Sequence, residues 1–372
     1  MIYLDNAATS FPKPRTVLDE VNRYIRHSCG NPGRSGHRLA LRAAEAVYFA
    51  REEVSGLLSI KSPERVIFTS NATHALNLAI KALITHPCHV LTSDVEHNSV
   101  VRPLERLKRE IGIDCSQFSL GGDLYANLSS AVRDNTEAIV CTLASNVTGA
   151  RADISALSRF AAERGIKLIL DASQLVGHEE INLARTPCTA FCAPGHKGLF
   201  GLQGSGFVVF CEDSYGEGLL EGGSGYDSLS VTMPRVLPEK FEAGTLATPA
   251  IVSLGAGIEY VRKVGIDNIS AKLDRLTTEA KDALSELRGV VVHGAENGIL
   301  CFTVKGFPSS EIAAGLDGLG ICVRAGLHCA PSAHKMLGTL KDGTVRASFS
   351  FHSSIADAKR LVNGVCKIIK ST

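Results

Sequence analysis

The segment 192-CAPGHKGLFGLQGSGFVVF-210 places Lys197 just after a strand-like apolar run, between Gly195 and Gly198. Glycines there let backbone approach a bound molecule closely, and a lysine amine held in such a turn can bond covalently to a carbonyl carbon. The same pattern also fits a solvated surface charge. Asp171 ends the run 167-KLILDAS-173, where a carboxylate is poorly solvated and needs a cationic partner to stay charged. A protonated pyridine nitrogen is one such partner, with Gln174 one turn on to donate to a phenolate oxygen. The other role open to Asp171 is a helix N-cap, with Ser173 and Gln174 beginning the helix. In 68-FTSNATHALN-77, Asn71, Thr73 and His74 join a strand to a helix. Free N–H groups and the helix dipole make that junction a phosphate cradle, unless Thr73 only caps the helix. His97 in 93-SDVEHNSV-100 and Asn146 in 144-ASNVTGA-150 follow further strand ends. An imidazole there can stack on a ring and move protons, and an amide can hydrogen-bond its substituents. Each signal is weak alone, but together they supply the groups that pyridoxal phosphate (PLP) demands.

Cys329 is a second candidate nucleophile. It follows Gly326 and His328 and precedes Pro331, which reads as an exposed loop, with Arg324 and His328 as cationic neighbours for a thiolate. An inert buried thiol is the ordinary alternative, and it fits most of the other ten of the eleven cysteines, such as Cys141, Cys192, Cys211 and Cys301. No CxxC pair and no Cys/His spacing suits a metal such as zinc.

The elements that must position these groups alternate. RVIFTS, HVLTSD, IDCSQFSL, AIVCTLAS, KLILDAS, TAFCAP and GFVVFCE read as strands, several of them near-continuous apolar runs as in strands covered on both faces. A helix through THALNLAIKALI carries its apolar face on Ala75, Leu76, Ala79, Ile80 and Leu83. Alternating β and α elements predict an α/β fold with a mostly parallel doubly wound sheet, its ligand site at the C-terminal strand ends. Helices are expected over roughly 248–263 and 268–287, then a smaller α+β pattern through VVVHG, ILCFTVKG, ICVRAG and TVRASFS to a last helix from Ile355.

With 372 residues the chain is long enough for two domains. We expect a large domain over 15–259 and a small one from 1–14 plus 260–372, the latter carrying the Cys329 loop. Net charge is +1, from 39 basic and 38 acidic side chains, so no electrostatic case exists for nucleic acid or an anionic membrane. No apolar run approaches the roughly 18 residues of a membrane span. The opening MIYLDNAATSFPKP lacks the apolar core of a signal peptide, and the expected location is the cytoplasm.

The chain resembles the class V, fold-type I PLP enzymes, and within them the cysteine desulfurase and selenocysteine lyase branch. The resemblance runs through YLDNAATS, EHNSVV, SNVTG, LDASQ, GHK, FEAGT, RAGLHCAP and VRASF. RAGLHCAP is similar to the short active-site segment of the group II (SUF-type) enzymes. The resemblance implies a mainly parallel seven-stranded sheet in the large domain, with Lys197 as the Schiff-base lysine. Asp171 would pair with the pyridine nitrogen and His97 stack on the ring. Asn146 and Gln174 would contact its substituents, and Thr73, His74 and His196 the phosphate region. Thr245 matches a phosphate contact given to the neighbouring subunit of a homodimer. Arg346 would hold the substrate carboxylate, and Arg324, Arg34 and His37 match positions around the mouth of the site. The implied reaction takes L-cysteine to L-alanine and leaves a persulfide on Cys329 for an acceptor protein or thiol, as in iron–sulfur cluster assembly. Selenocysteine cleavage and class V transamination are the rival activities. The chain departs from the pattern at Pro194, where a serine or threonine is usual, and at Ala72 and His74, where a threonine and a glutamate are common. Those departures predict a weaker hold on the cofactor phosphate.

Overall fold

The computed structural model describes residues 1–33, 35–213 and 215–371. The N-terminus forms a short strand, β1 (Ile2–Tyr3). Seven strands follow: β2 (Val66–Thr69), β3 (His89–Ser93), β4 (Asp114–Phe118), β5 (Thr136–Thr142), β6 (Lys167–Asp171), β7 (Ala190–Pro194) and β8 (Gly206–Phe210). They form one sheet in the order β2-β8-β7-β6-β5-β3-β4. All neighbours are parallel except β8, which runs antiparallel to β2 and β7. β7 and β8 are buried at every residue, the pattern of strands covered on both faces.

One apolar cluster, including Leu91, Ile139, Leu168, Phe191 and Phe207, covers one face of this sheet. A second, including Val90, Val140, Ile169, Cys192 and Phe210, covers the other. The odd and even residues of single strands thus separate between the two layers, as strand geometry requires. Helices begin where the sequence signals them. Asn71 caps Ala72–Leu83 through the N–H of His74, and His97 caps Asn98–Ile111 through the N–H of Ser99.

The C-terminal part adds β9 (Val290–Glu296), β10 (Ile299–Val304), β11 (Ile321–Cys322), β12 (Arg324–Gly326) and β13 (Thr344–Ser348). The expected single strand ICVRAG divides at Val323. Its first half pairs in parallel with β1, and its second half joins the four-stranded sheet β12-β13-β10-β9. A third cluster, with Leu4, Leu276, Phe302 and Leu361, lies beneath that sheet. Helices over Arg15–His27, Arg38–Leu57 and, after Cys329, Pro331–Met336 add to those expected from the sequence.

Candidate active site

Strands β5, β6 and β7 end at Thr142, Asp171 and Pro194, and all three residues line one cavity of about 490 Å³. Thr73, His97, Asn146, Gln174, His196 and Lys197 line it too, so these six residues singled out from sequence meet there with Asp171. Backbone crowding sets two of these positions. A Cβ on Gly198 would sit 2.2 Å from the Val176 carbonyl oxygen, so only glycine lets the turn after Lys197 close down. A Cβ on Gly206 would meet the Asn71 backbone at 2.7 Å, so the bare start of β8 lets the helix start at Ala72 come near.

Asp171 is buried, and its Oδ1 accepts from the N–H of Ser173 at 2.9 Å and from the Ser173 hydroxyl. Its Oδ2 has no hydrogen-bond partner among the described residues. Residues 173–178 form turns, so Asp171 caps no helix, and the carboxylate stays available to a cation in the cavity. Burial pushes the Lys197 amine down to about 8; Asp171 and Asp5 oppose that, while Arg346 and Arg324 reinforce it.

His97 is half-buried, and its Nδ1 accepts the N–H of Ser99 at 3.0 Å. A backbone N–H can only donate, so the neutral ring carries its proton on Nε2. Burial lowers the His97 pKa against the opposing charge of Asp171, and Lys197, Arg324 and Arg346 add to the lowering. Beside it, Glu96 is buried, with Oε1 accepting from Ser93 Oγ at 2.5 Å and from the Thr142 N–H at 2.8 Å. Burial raises its carboxyl to about 8, so at neutral pH this acid behind Asp171 is largely uncharged. No role for Glu96 was legible in the sequence.

The loop carrying Cys329 is held in an uncommon backbone shape. His328 and Cys329 have φ of 50° and 59°, left-handed values that cost energy in residues with a Cβ. Two bonds hold it: Asn146 Nδ2, in the cavity wall, donates to the His328 carbonyl at 2.7 Å, and the Asn98 N–H donates to the Cys329 carbonyl at 2.8 Å. The thiol is exposed, and Arg324 Nη2 lies 3.7 Å from its sulfur. The expected charge from His328 is absent. That ring is buried, bonds at Nε2 to Thr344, and is pushed down to about 2, first by desolvation and then by Arg346, so it is neutral. Arg324 is the positive group that remains beside the thiol.

Arg324 and Arg346 are register partners on β12 and β13, which puts two like charges side by side. Arg346 is 1% exposed; its Nη2 donates to Asp5 Oδ1 at 2.8 Å and its Nη1 to the Asn146 carbonyl at 2.9 Å. Its Nε is buried without a partner, a donor left over for an incoming carboxylate. Asp5 offsets a charge that would otherwise be buried alone. Asp5→Ala should therefore lower unfolding stability by about 3 kcal/mol in a denaturant titration, with Asp5→Asn losing less because it keeps an acceptor. Equal stability of Asp5→Ala and the parent would remove Asp5 from this role.

The N-terminal segment also grips the site. Ala7 O accepts from Gln174 Nε2 at 3.0 Å. The carbonyl of His196, next to Lys197, accepts from the Ser10 N–H and the hydroxyls of Thr9 and Ser10, each at 3.1 Å, and from Lys13 Nζ at 2.9 Å. Not every expected residue reaches the cavity. His74 is turned to Ser70, 3.4 Å from its N–H, rather than toward the cavity, and His37 caps its own helix through the Ala40 N–H. Thr245, expected to serve the neighbouring subunit's site, is exposed on a loop, and Arg34 lies outside the described residues.

A family model for class-V aminotransferases matches residues 2–361. The chain is 33% identical over 373 residues to a probable cysteine desulfurase of Methanothermobacter thermautotrophicus, covering 97% of this chain and 92% of that protein. A cysteine desulfurase of Synechococcus elongatus is 31% identical over 99% of this chain, which spans 60% of that longer protein. Among solved structures, the cysteine desulfurase of Thermococcus onnurineus NA1 superposes with a TM-score of 0.93 at 28% identity, covering 100% of this chain and 95% of that one. The Escherichia coli cysteine desulfurase CsdA superposes at 0.90 with 25% identity, over 99% and 94%.

Proposed function

The chain belongs to the class-V aminotransferase family, and on that premise we propose that it is a PLP-dependent cysteine desulfurase that leaves the sulfur of L-cysteine as a persulfide on Cys329. The observation that carries this reading is the join between the two nucleophiles: Asn146, in the wall of the Lys197 cavity, holds the carbonyl next to Cys329 at 2.7 Å.

The donor set suits PLP. Asp171 has a free oxygen for the ring nitrogen, Thr73 and the first N–H groups of its helix suit the phosphate, and Lys197 is the amine for covalent attachment. When bound, the protonated ring withdraws electrons from the substrate Cα and so makes its proton removable. Lys197 takes that proton, since an amine lowered to about 8 is partly free at neutral pH. His97 presents its Nε2–H as a donor, because Nδ1 is already held by Ser99. Arg346 receives the substrate carboxylate through its unpaired Nε and by sharing Nη2 with Asp5. Arg324 lies beside the Cys329 sulfur, which as thiolate attacks the substrate sulfur; the S–S bond forms as the C–S bond breaks, and the carbon fragment leaves as alanine after protonation.

One consequence concerns pH. Only the uncharged amine attacks a carbonyl, so covalent capture of PLP by the cofactor-free protein should speed up as pH rises through about 8 and level off above it. A rate that keeps climbing toward the ordinary lysine value would show that Lys197 is not desolvated.

Two copies make the working unit. Leu18 and Ile25 on one helix, Leu39, Leu41, Tyr48 and Phe49 on the next, and Leu229 and Val231 in a loop are all exposed apolar side chains, which a second copy would cover. No helix of the described residues is long and apolar enough to cross a membrane. All eleven cysteines are free thiols, in keeping with a reducing cytoplasm. Alanine and sulfide release, measured with L-cysteine and then with L-selenocysteine, tests the function. Alanine formed only when a keto acid is supplied would make the protein an aminotransferase, and turnover confined to selenocysteine would make it a lyase.

A further inference from the structure

Two helices, Ala72–Leu83 and Asn98–Ile111, start at the cavity, and a chain of polar atoms runs between them. Thr73 Oγ1 lies 2.7 Å from Ser99 Oγ, and Ser99 Oγ lies 2.9 Å from His97 Nδ1. Thr73, Ser99 and His97 all line the cavity, and Ser99 is buried. The second helix has no N–H to spare. Asn98 donates to the Cys329 carbonyl, Ser99 to His97 Nδ1, and Val100 and Val101 to the His97 carbonyl. Its remaining contribution to a bound molecule is the Ser99 hydroxyl. On the first helix, side-chain hydroxyls are scarce: Ala72 has none, and Pro194 across the cavity has neither hydroxyl nor N–H.

We propose that Ser99 is a positioning residue of the phosphate end of the cavity, its hydroxyl holding Thr73 in the orientation that receives a phosphate group. This deepens the PLP reading above and rests on it. His97 Nδ1 already accepts a backbone N–H, so toward that nitrogen the Ser99 hydroxyl acts as donor, and its oxygen accepts from Thr73. When phosphate arrives, the Thr73 proton turns to the anion. The Ser99 proton then turns to the Thr73 oxygen, and His97 keeps its backbone donor. The result is a directed row, Ser99 to Thr73 to anion, in which each bond polarises the next. Without Ser99 the Thr73 oxygen would lose this side-chain donor at the moment it gives its own proton away.

The experiment measures inorganic phosphate and PLP binding to the cofactor-free protein for the parent, Ser99→Ala and Ser99→Thr, beside thermal melting without ligand. We expect Ser99→Ala to weaken both ligands roughly tenfold at an unchanged melting temperature, and Ser99→Thr to restore binding. Parental affinity for phosphate in Ser99→Ala overturns the proposal, as does a loss that Ser99→Thr fails to restore. A loss of PLP affinity with phosphate binding intact also overturns it, because Ser99 would then act elsewhere on the cofactor. A parent that binds phosphate but not PLP sinks the cofactor reading instead, and the phosphate data still decide the role of Ser99.

Discussion

Lys197→Ala is expected to lose both the visible absorption of bound PLP and turnover, with a fall in rate on the order of 10⁴-fold or more. The size follows from removing two functions at once, covalent attachment and proton transfer at Cα, the second alone contributing about 10²–10⁴-fold. The structure also identifies the amine that could mimic it. Lys13 is lowered to about 8 by burial and lies against the His196 carbonyl at 2.9 Å, one residue from Lys197. Its Nζ is occupied, however, by that carbonyl and by Ser10 Oγ at 2.8 Å. Lys167 sits at the opposite end of β6 and donates to the Leu83 carbonyl. Borohydride reduction followed by peptide mapping would separate these cases. A reduced cofactor adduct on Lys13 in the variant, with activity retained, would move the assignment from Lys197 to Lys13.

Cys329→Ser is expected to bind PLP like the parent and to form no persulfide. The split arises because Cys329 lies on a loop outside the cavity wall, so cofactor binding does not need it, whereas sulfur transfer does. A serine hydroxyl is a far weaker nucleophile toward sulfur than a thiolate, and the neighbouring Arg324 does not change that. Arg324→Ala should slow persulfide formation while leaving the thiol in place. Mass spectrometry of the parent after brief exposure to cysteine should find one added sulfur on the Cys329 peptide. Among its neighbours, Cys301 is buried, its thiol raised to about 11 by desolvation, and cannot easily substitute. Cys322 is less buried, and added sulfur there instead would overturn the role of Cys329.

The amino-acid sequence by itself determined most of the strands and pointed to Lys197 and Cys329 as the two candidate nucleophiles. Runs such as KLILD and AFCAP are apolar without alternation because both faces of their strands are covered, and that physics is local enough to be legible along the chain. The polar residue that ends each strand is legible for the same reason: a strand end is where a buried run meets solvent or ligand. Lys197, Asp171, His97, Asn146 and Thr73 were therefore found from their places after strands, and all of them line one cavity. Tertiary structure alone decided which charges face one another. Asp5 and Arg346 are 341 residues apart and meet because β1 and the segment after it lie along β11 and β13. Arg324 and Arg346 face each other through strand register, which no spacing along the chain encodes. His328 shows the converse. Its place beside Cys329 suggested a charge, but the left-handed turn sends the ring inward, where desolvation keeps it neutral. His74 likewise turns toward Ser70, and Ser99 takes its place beside Thr73 from a different helix. A sequence names which residues stand near a strand end; the packing of the elements decides which way each side chain faces, and so which of them are charged.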